Sequence, residues 1–171
     1  MTRSVGDKDR TVTRPHPERH VGFTGTRRGM TSPQASAVAT ALTRLQTAGA
    51  RFFHHGDCIG ADDRAATIAH ELGLEVVMHP PTNSAARAWA YFDHSRPPHR
   101  YLVRNRHIVA ECAWILACPA TFRHELRSGT WSTIRAALDL DRRLTIIAPD
   151  GVLIDPRSIG APQQPHRAGA R

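Results

Sequence analysis

The stretch HVGFTGTRRGMTSPQASAVATALTRLQTAGARFFHHG, residues 20–56, decides the fold. It opens on a short apolar run, HVGFTG (20–25), that reads as a buried strand. A polar turn follows. Ser32 then reads as an N-cap and Pro33 as the first helical residue, and Val38, Ala41, Leu42 and Leu45 recur at helical spacing until Gly49 stops the helix. RFFHHG (51–56) is a second strand. Strand, helix and strand in so short a span make a βαβ unit, whose two strands lie parallel in one sheet.

The same rhythm continues outward. A helix from about residue 60 carries Ala61, Ala65, Ile68, Ala69 and Leu72 on one stripe and ends at Gly73, and LEVVMHP (74–80) makes a third strand. Residues 80–101, PPTNSAARAWAYFDHSRPPHRY, form a long proline-punctuated loop with one short helix expected around 85–92. A loop of that length inside a domain is more often functional than idle. A helix near 102–111 leads to a fourth strand, AWILACP (113–119). After a further loop, ATFRHELRS, a helix running to about residue 140 returns through a fifth strand, LTIIAP (144–149). No internal repeat is visible. Apolar strands alternating with amphipathic helices define the expected fold class as α/β, a Rossmann-like, doubly wound, mostly parallel sheet of about five or more strands with helices on both faces. That domain is expected over residues 19–154, and the Pro-, Gly- and Arg-rich residues 1–18 and 155–171 are expected to be flexible tails.

Composition excludes several classes. With 171 residues, 40% hydrophobic and 22% charged, the chain suits one soluble domain and has no apolar run long enough to span a bilayer. The first residues, MTRSVGDKDRTVTRPHPERH, lack the apolar core of a secretory signal, so a cytoplasmic location is expected, with no membrane partner. Cys58, Cys112 and Cys118 form no CxxC pair, which points to reduced, buried thiols and away from a disulfide framework or a zinc knuckle. The formal charge of +8 suggests nucleic acid, but half of it falls in residues 1–19 and 155–171 and the remainder forms no basic run. Nucleic-acid binding is therefore the lesser expectation.

In a doubly wound sheet, ligands bind where strand C-termini meet helix N-termini, so the residues after each strand carry the functional candidates. After the first strand, in TGTRRG (24–29), Gly25 permits close backbone approach, Thr26 offers a hydroxyl, and Arg27 or Arg28 offers a planar fork for phosphate or carboxylate. After the second, in HHGDCIGADD (54–63), Gly56 and Gly60 permit a tight loop. Asp57 or Asp62 suits ribose hydroxyls or a bound arginine, while Asp63 reads as a dipole-complementing residue of the first helical turn. His54, His55, Asp57 and Cys58 invite a metal, but adjacent strand residues point to opposite faces, so no metal is expected there. In the long loop Arg87, Trp89, Tyr91 and Phe92 offer a cation and aromatic faces, suited either to stacking on a base or to fastening the loop. Arg104 and Asn105 open the next helix toward the cleft, with Tyr101, Leu102, Ile108 and Val109 as anchors. Before the last helix, Ser128 caps, Gly129 brings the backbone close and Thr130 supplies a hydroxyl, a ready anion site, while Trp131, Ile134 and Leu138 share a core stripe.

Four segments in order, TGTR, HGDCIGAD, YLVRN and RSGTWSTI, resemble the SLOG superfamily, named for the SMF/DprA and LOG proteins, and in particular its small stand-alone members. The resemblance covers roughly residues 20–150. It implies a Rossmann-like domain that binds nucleotides or their derivatives, and commonly a homodimer or higher homo-oligomer. LOG-type phosphoribohydrolases use an arginine from an R-K pair and a glutamate from PGGxGTxxE. Arg104 matches the arginine and Asn105 replaces the lysine. Pro119 matches the start of the second motif, Gly129 and Thr130 match its GT, and Thr133 stands at the glutamate position. Glu125, in the inserted loop, is the one candidate substitute acid. The expected function is therefore binding of a phosphorylated nucleotide or nucleotide-derived ligand at the C-terminal edge of the sheet, as a sensor or carrier, with no further cofactor required. A nucleoside 5′-monophosphate N-glycosidase using Arg104 and Glu125 is the enzymatic alternative, and DprA-like single-stranded DNA binding is the second.

Overall fold

A computed structural model describes residues 16–121, 125 and 127–156. Its strands are β1 (His20–Gly25), β2 (Phe52–His55), β3 (Glu75–Met78), β4 (His94–Ser95), β5 (Trp114–Cys118), β6 (Arg143–Ile147) and β7 (Leu153–Ile154). Its helices are α1 (Ser32–Thr47), α2 (Ala61–Glu71), α3 (Tyr101–Glu111) and α4 (Gly129–Asp139). The strands form one seven-stranded sheet in the order β4-β3-β2-β1-β5-β6-β7, parallel throughout except that β7 runs against β6. The chain thus starts at the centre, winds outward through β4, then returns to the other side of β1. That reversal sits between β1 and β5, where the loops on either side diverge and leave room for a ligand.

Alternation along the strands feeds two cores. Val21, Phe23, Phe53, Leu116 and Cys118 point toward α1 and α2 and pack on Val38, Leu42, Ala65 and Ala69. Ile115, Ala117 and Ile146 point the other way, onto Ile108, Val109, Trp131 and Ile134 of α3 and α4. Trp131 is core, as its spacing predicts, but Leu138 is largely exposed and Ala137 takes the buried place. The three cysteines are free and buried. Among the described residues no helix is long and apolar enough to cross a membrane.

Local departures from the expected elements have local causes. Thr31, not Ser32, is the N-cap of α1, because its hydroxyl accepts from the Gln34 N–H while the Gln34 side chain accepts from the Thr31 N–H. Residues 85–92 form no helix beyond a 3-10 turn at Ser84–Ala86. The loop instead returns to the sheet as β4, since Asp93 exchanges two bonds with Val76 and Arg96 N–H donates to Met78 O. Pro17–Arg19 form a 3-10 turn tied to the start of β5 by Ala113 N–H donating to Pro17 O.

Gln34 is fully buried and its amide nitrogen donates to Pro119 O and Ile147 O, both at 3.0 Å, joining α1 to the ends of β5 and β6. Gln34→Ala leaves both carbonyls unsatisfied and removes half of the capping box. The expected loss is about 2 kcal/mol, read as a lower urea midpoint with unchanged m-value.

Candidate functional site

The C-terminal rim at the reversal is assembled by close backbone crossings. Thr26 N–H donates to Cys118 O at 3.0 Å, and Ala61 N–H donates to Thr26 O at 3.0 Å, so the loops after β1, β2 and β5 meet at Thr26. Gly60 has φ +108°, and a Cβ there would lie 2.5 Å from Arg27 O; only glycine fits both the conformation and the space. Gly25 is packed equally closely against Ala61. These two glycines bring loops together.

Asp62, at the start of α2, is buried and accepts from Gly56 N–H at 2.9 Å and from Cys58 N–H at 3.1 Å through the same oxygen, Oδ2. Burial pushes its carboxyl up to about 6, against the opposing pull of Arg104 and the two amides. Arg104 comes from α3 and lies flat on Gly56, where a Cβ would meet its Nη1. Only 4% of Arg104 is exposed. Its Nη2 donates to Cys58 Sγ at 3.0 Å, yet among the described residues no carboxylate forms an ion pair with it and its Nε has no hydrogen-bond partner. Buried polar donors are ordinarily hydrogen-bonded, so among the described residues this guanidinium is under-satisfied.

Tyr101 links Arg104 to the start of α4. The Arg104 guanidinium sits 4.8 Å from the Tyr101 ring centroid and the Arg27 guanidinium 5.5 Å, so one phenol is flanked by two cations. Its hydroxyl lies directly over Gly129, 1.9 Å from where a Cβ would stand. Burial pushes the Tyr101 hydroxyl pKa up, which keeps it neutral. Tyr101 reads from sequence as an anchor of α3, and its position as the first residue of the helix bearing Arg104 is the signal that it belongs to the rim. Ser128 caps α4 by accepting from Trp131 N–H, Thr130 is buried, and the Thr133 hydroxyl donates to Gly129 O. Directly above Gly129, then, stands a side chain. Open space lies at the Thr26 turn, a cavity of about 260 Å³ lined by Thr26, Arg28, Gly29, Met30, Thr31, Gln34 and Ala120, with Arg27, Tyr101, Arg104 and Gly129 outside its lining. A larger cavity, about 380 Å³, runs along β6 and β7 past Arg142, away from all of these turns.

The remaining candidates separate from this group. Asp57 is fully buried at φ +53°, and both of its oxygens are engaged, Oδ2 by Arg87 Nε and Oδ1 by Ala90 N–H. Asp57 and Arg87 therefore buckle the long loop to the body, and both carboxylate oxygens of Asp57 are occupied by partners within the chain. Trp89 is stacked 3.9 Å over the Arg87 guanidinium and 68% exposed, so it does not bury itself to fasten the loop. Asn105 does not share the cleft with Arg104; one step around α3, it lines the groove facing Ser132 and Arg135 of α4. Glu125 is exposed and accepts from the Thr121 hydroxyl at 3.1 Å.

Comparison with solved structures identifies this architecture. The structure matches a molybdenum cofactor binding protein from Rippkaea orientalis with TM-score 0.59 at 17% identity, over 82% of this chain and 79% of that one. It matches DNA processing protein A (DprA) from Streptococcus pneumoniae with TM-score 0.57 at 20% identity, over 75% of this chain and 50% of that one. The molybdenum cofactor carrier protein of Chlamydomonas reinhardtii gives TM-score 0.53 at 14% identity, over 74% of each chain. The chain has a SLOG-type fold. At these identities the likeness is one of fold, and the chain spans half the length of the DprA protein. No family model and no curated protein matches the sequence.

Proposed function

We propose that the chain binds a phosphorylated nucleotide or nucleotide-derived ligand at the C-terminal edge of the sheet, as a sensor or carrier. The observation that carries this reading is the buried, under-satisfied Arg104, set with Arg27 on either side of Tyr101 at the chain reversal, where the neighbouring Thr26 turn lines an open cavity. A buried cation with a free donor is stabilised when an anion arrives, and a phosphate fits a guanidinium fork. In this reading Arg104, Arg27 and Thr26 hold the anion, while the start of α4 at Ser128, Gly129 and Thr130, covered at Gly129 by the Tyr101 hydroxyl, borders the site and contributes its dipole. Gly25, Gly56, Gly60 and Asp62 shape the loops, and Asp57 and Arg87 act only through the loop they buckle. Asn105 faces a different groove and lends no direct contact. Two similar structures are of proteins named for binding or carrying the molybdenum cofactor, which supports a binding or carrier role.

Binding is preferred over turnover because Thr133, at the position of the phosphoribohydrolase glutamate, donates its hydroxyl to Gly129 O and supplies no carboxylate. Self-association remains part of the proposal, and solution mass decides it. The test is a thermal-shift panel of nucleoside monophosphates, ADP-ribose, cyclic dinucleotides and molybdenum cofactor. A ligand at about a hundred times its Kd is expected to raise Tm by about 6 °C, and Arg104→Lys or Arg27→Ala to abolish most of that rise. A panel with no selective shift, or shifts indifferent to both substitutions, overturns the reading. Release of free base from a monophosphate would move the assignment to the N-glycosidase.

A further inference from the structure

The face of the sheet covered by α3 carries a row of imidazoles remote in sequence. His54 of β2 is fully buried. Its Nε2 is hydrogen-bonded to His20 Nδ1 at 2.8 Å and its Nδ1 to His79 Nε2 at 2.9 Å. Glu111, the last residue of α3, brings Oε2 to 3.8 Å from the same His54 Nδ1. His54, His79 and Glu111 therefore converge, one ligand-type atom from each lying within 4.8 Å of the others. His55 is no part of this, being directed to the other face, where its Nε2 meets Tyr91 O.

We propose that His54, His79 and Glu111 form a binding site for a divalent cation of the zinc type, with His20 positioning His54 from behind. Zinc holds imidazole nitrogen and carboxylate oxygen at about 2.0–2.2 Å, which sets tetrahedral ligand atoms about 3.3 Å apart. The observed 2.9 and 3.8 Å separations lie on either side of that value and all three atoms lie within 4.8 Å of one another, so Glu111 must draw in toward the two imidazoles to complete the set. The protons balance without loss. With Nε2 of His54 protonated and donating to His20, Nδ1 of His54 presents a lone pair; the proton on His79 Nε2 moves to His79 Nδ1 as the cation takes its place. Three protein ligands leave a fourth position, and it faces the open side, since Glu111 is 28% exposed while both histidines are buried. Packing has no need of three hydrogen-bonded imidazoles inside a sheet, where aliphatic residues would bury at lower cost.

Arg96 makes the site testable beyond simple loss. Its Nε and Nη2 donate to Glu111 Oε2 at 3.0 and 2.7 Å, from a side chain 41% exposed. A cation must take that oxygen from it and share its neighbourhood with a positive charge. Removing Arg96 therefore strengthens binding.

The experiment is titration of the metal-free full chain with Zn²⁺ by calorimetry and with Co²⁺ by visible absorption. The expected result is one equivalent bound, with the absorption of tetrahedral cobalt. His79→Gln and Glu111→Gln are expected to weaken binding about tenfold or more, His20→Asn by about tenfold, and Arg96→Gln to tighten it, while His70→Gln on the opposite face leaves it unchanged. Glu111 is partly exposed, so Glu111→Gln keeps the test decisive if His79→Gln fails to fold. Absence of stoichiometric binding, binding that survives Glu111→Gln, or no tightening with Arg96→Gln overturns the proposal.

Discussion

Acidifying the metal-free protein from pH 7 to pH 5 is expected to remove about 3 kcal/mol or more of its stability. The cause is burial of neutral imidazoles. Desolvation in the core holds His55 down to about 4 and His79 to about 3, and His54 is pushed well down for the same reason, with neighbouring positive charge adding to it. The unfolded chain binds protons at these positions as pH falls through about 6.5, and the folded chain does not. The unfolded state thus carries more protons, and stability falls with pH through that window. At pH 5 His55 and His79 each contribute a loss of about 2 kcal/mol, and His54 adds to it. Asp62 acts in the opposite direction. Its carboxyl, raised to about 6 in the folded state, binds a proton there before the unfolded chain does, which returns about 1 kcal/mol at pH 5. The histidines prevail because they outnumber it. Urea unfolding at the two pH values measures the difference directly; a midpoint as high at pH 5 as at pH 7 would show that these imidazoles are not held neutral.

The architecture was legible where each segment declares itself. Residues 20–56 read correctly as strand, helix and strand because Val21, Phe23 and Phe53 are apolar at strand spacing while Val38 and Leu42 are apolar at helical spacing. β4 was illegible for the converse reason. His94 and Ser95 are both exposed, and what makes them a strand is backbone pairing with Val77 and Met78, which leaves no mark on composition. The N-cap of α1 reads from sequence as Ser32 where Thr31 holds that place, and Gln34, three residues after the threonine, was the unused signal. At the site, sequence could name Arg104, Gly56 and Asp62 as residues following strands or opening helices. It could not show that Asp57 would be consumed by Arg87, since that bond joins the turn after β2 to the loop after β3, with α2 and β3 between them in the chain. The histidine row was hidden for the same kind of reason: His20, His54 and His79 belong to three chain segments, and only the sheet register brings them to one face.

Arg104→Met is expected to cost about 3 kcal/mol at pH 8 and distinctly less at pH 5.5. The substitution keeps a long apolar stem but removes the charge that offsets the desolvation of the Asp62 carboxylate. Even with Arg104 present the Asp62 carboxyl is raised to about 6, so without it the carboxyl must rise further or remain buried and uncompensated. The sign follows from the raised folded value. The contribution of Asp62 to stability is complete below about 4, where both states are protonated on its account, and is lost as pH rises through the folded pKa. In the variant that loss moves to higher pH and grows deeper, which is why pH 8 separates the proteins more than pH 5.5 does. Adding Asp62→Asn should recover most of the cost. Gly56 and Cys58 both donate to the single oxygen Oδ2, and the amide oxygen of asparagine can accept both bonds with no charge to bury. The double variant, folded and pH-insensitive at this position, should still fail to respond to the ligand that stabilises the wild type, because the anion's buried partner is gone. Equal stability of Arg104→Met and wild type at pH 8, or no recovery with Asp62→Asn, would show that the guanidinium is not what offsets this carboxylate; a double variant that binds as well as wild type would remove Arg104 from the site.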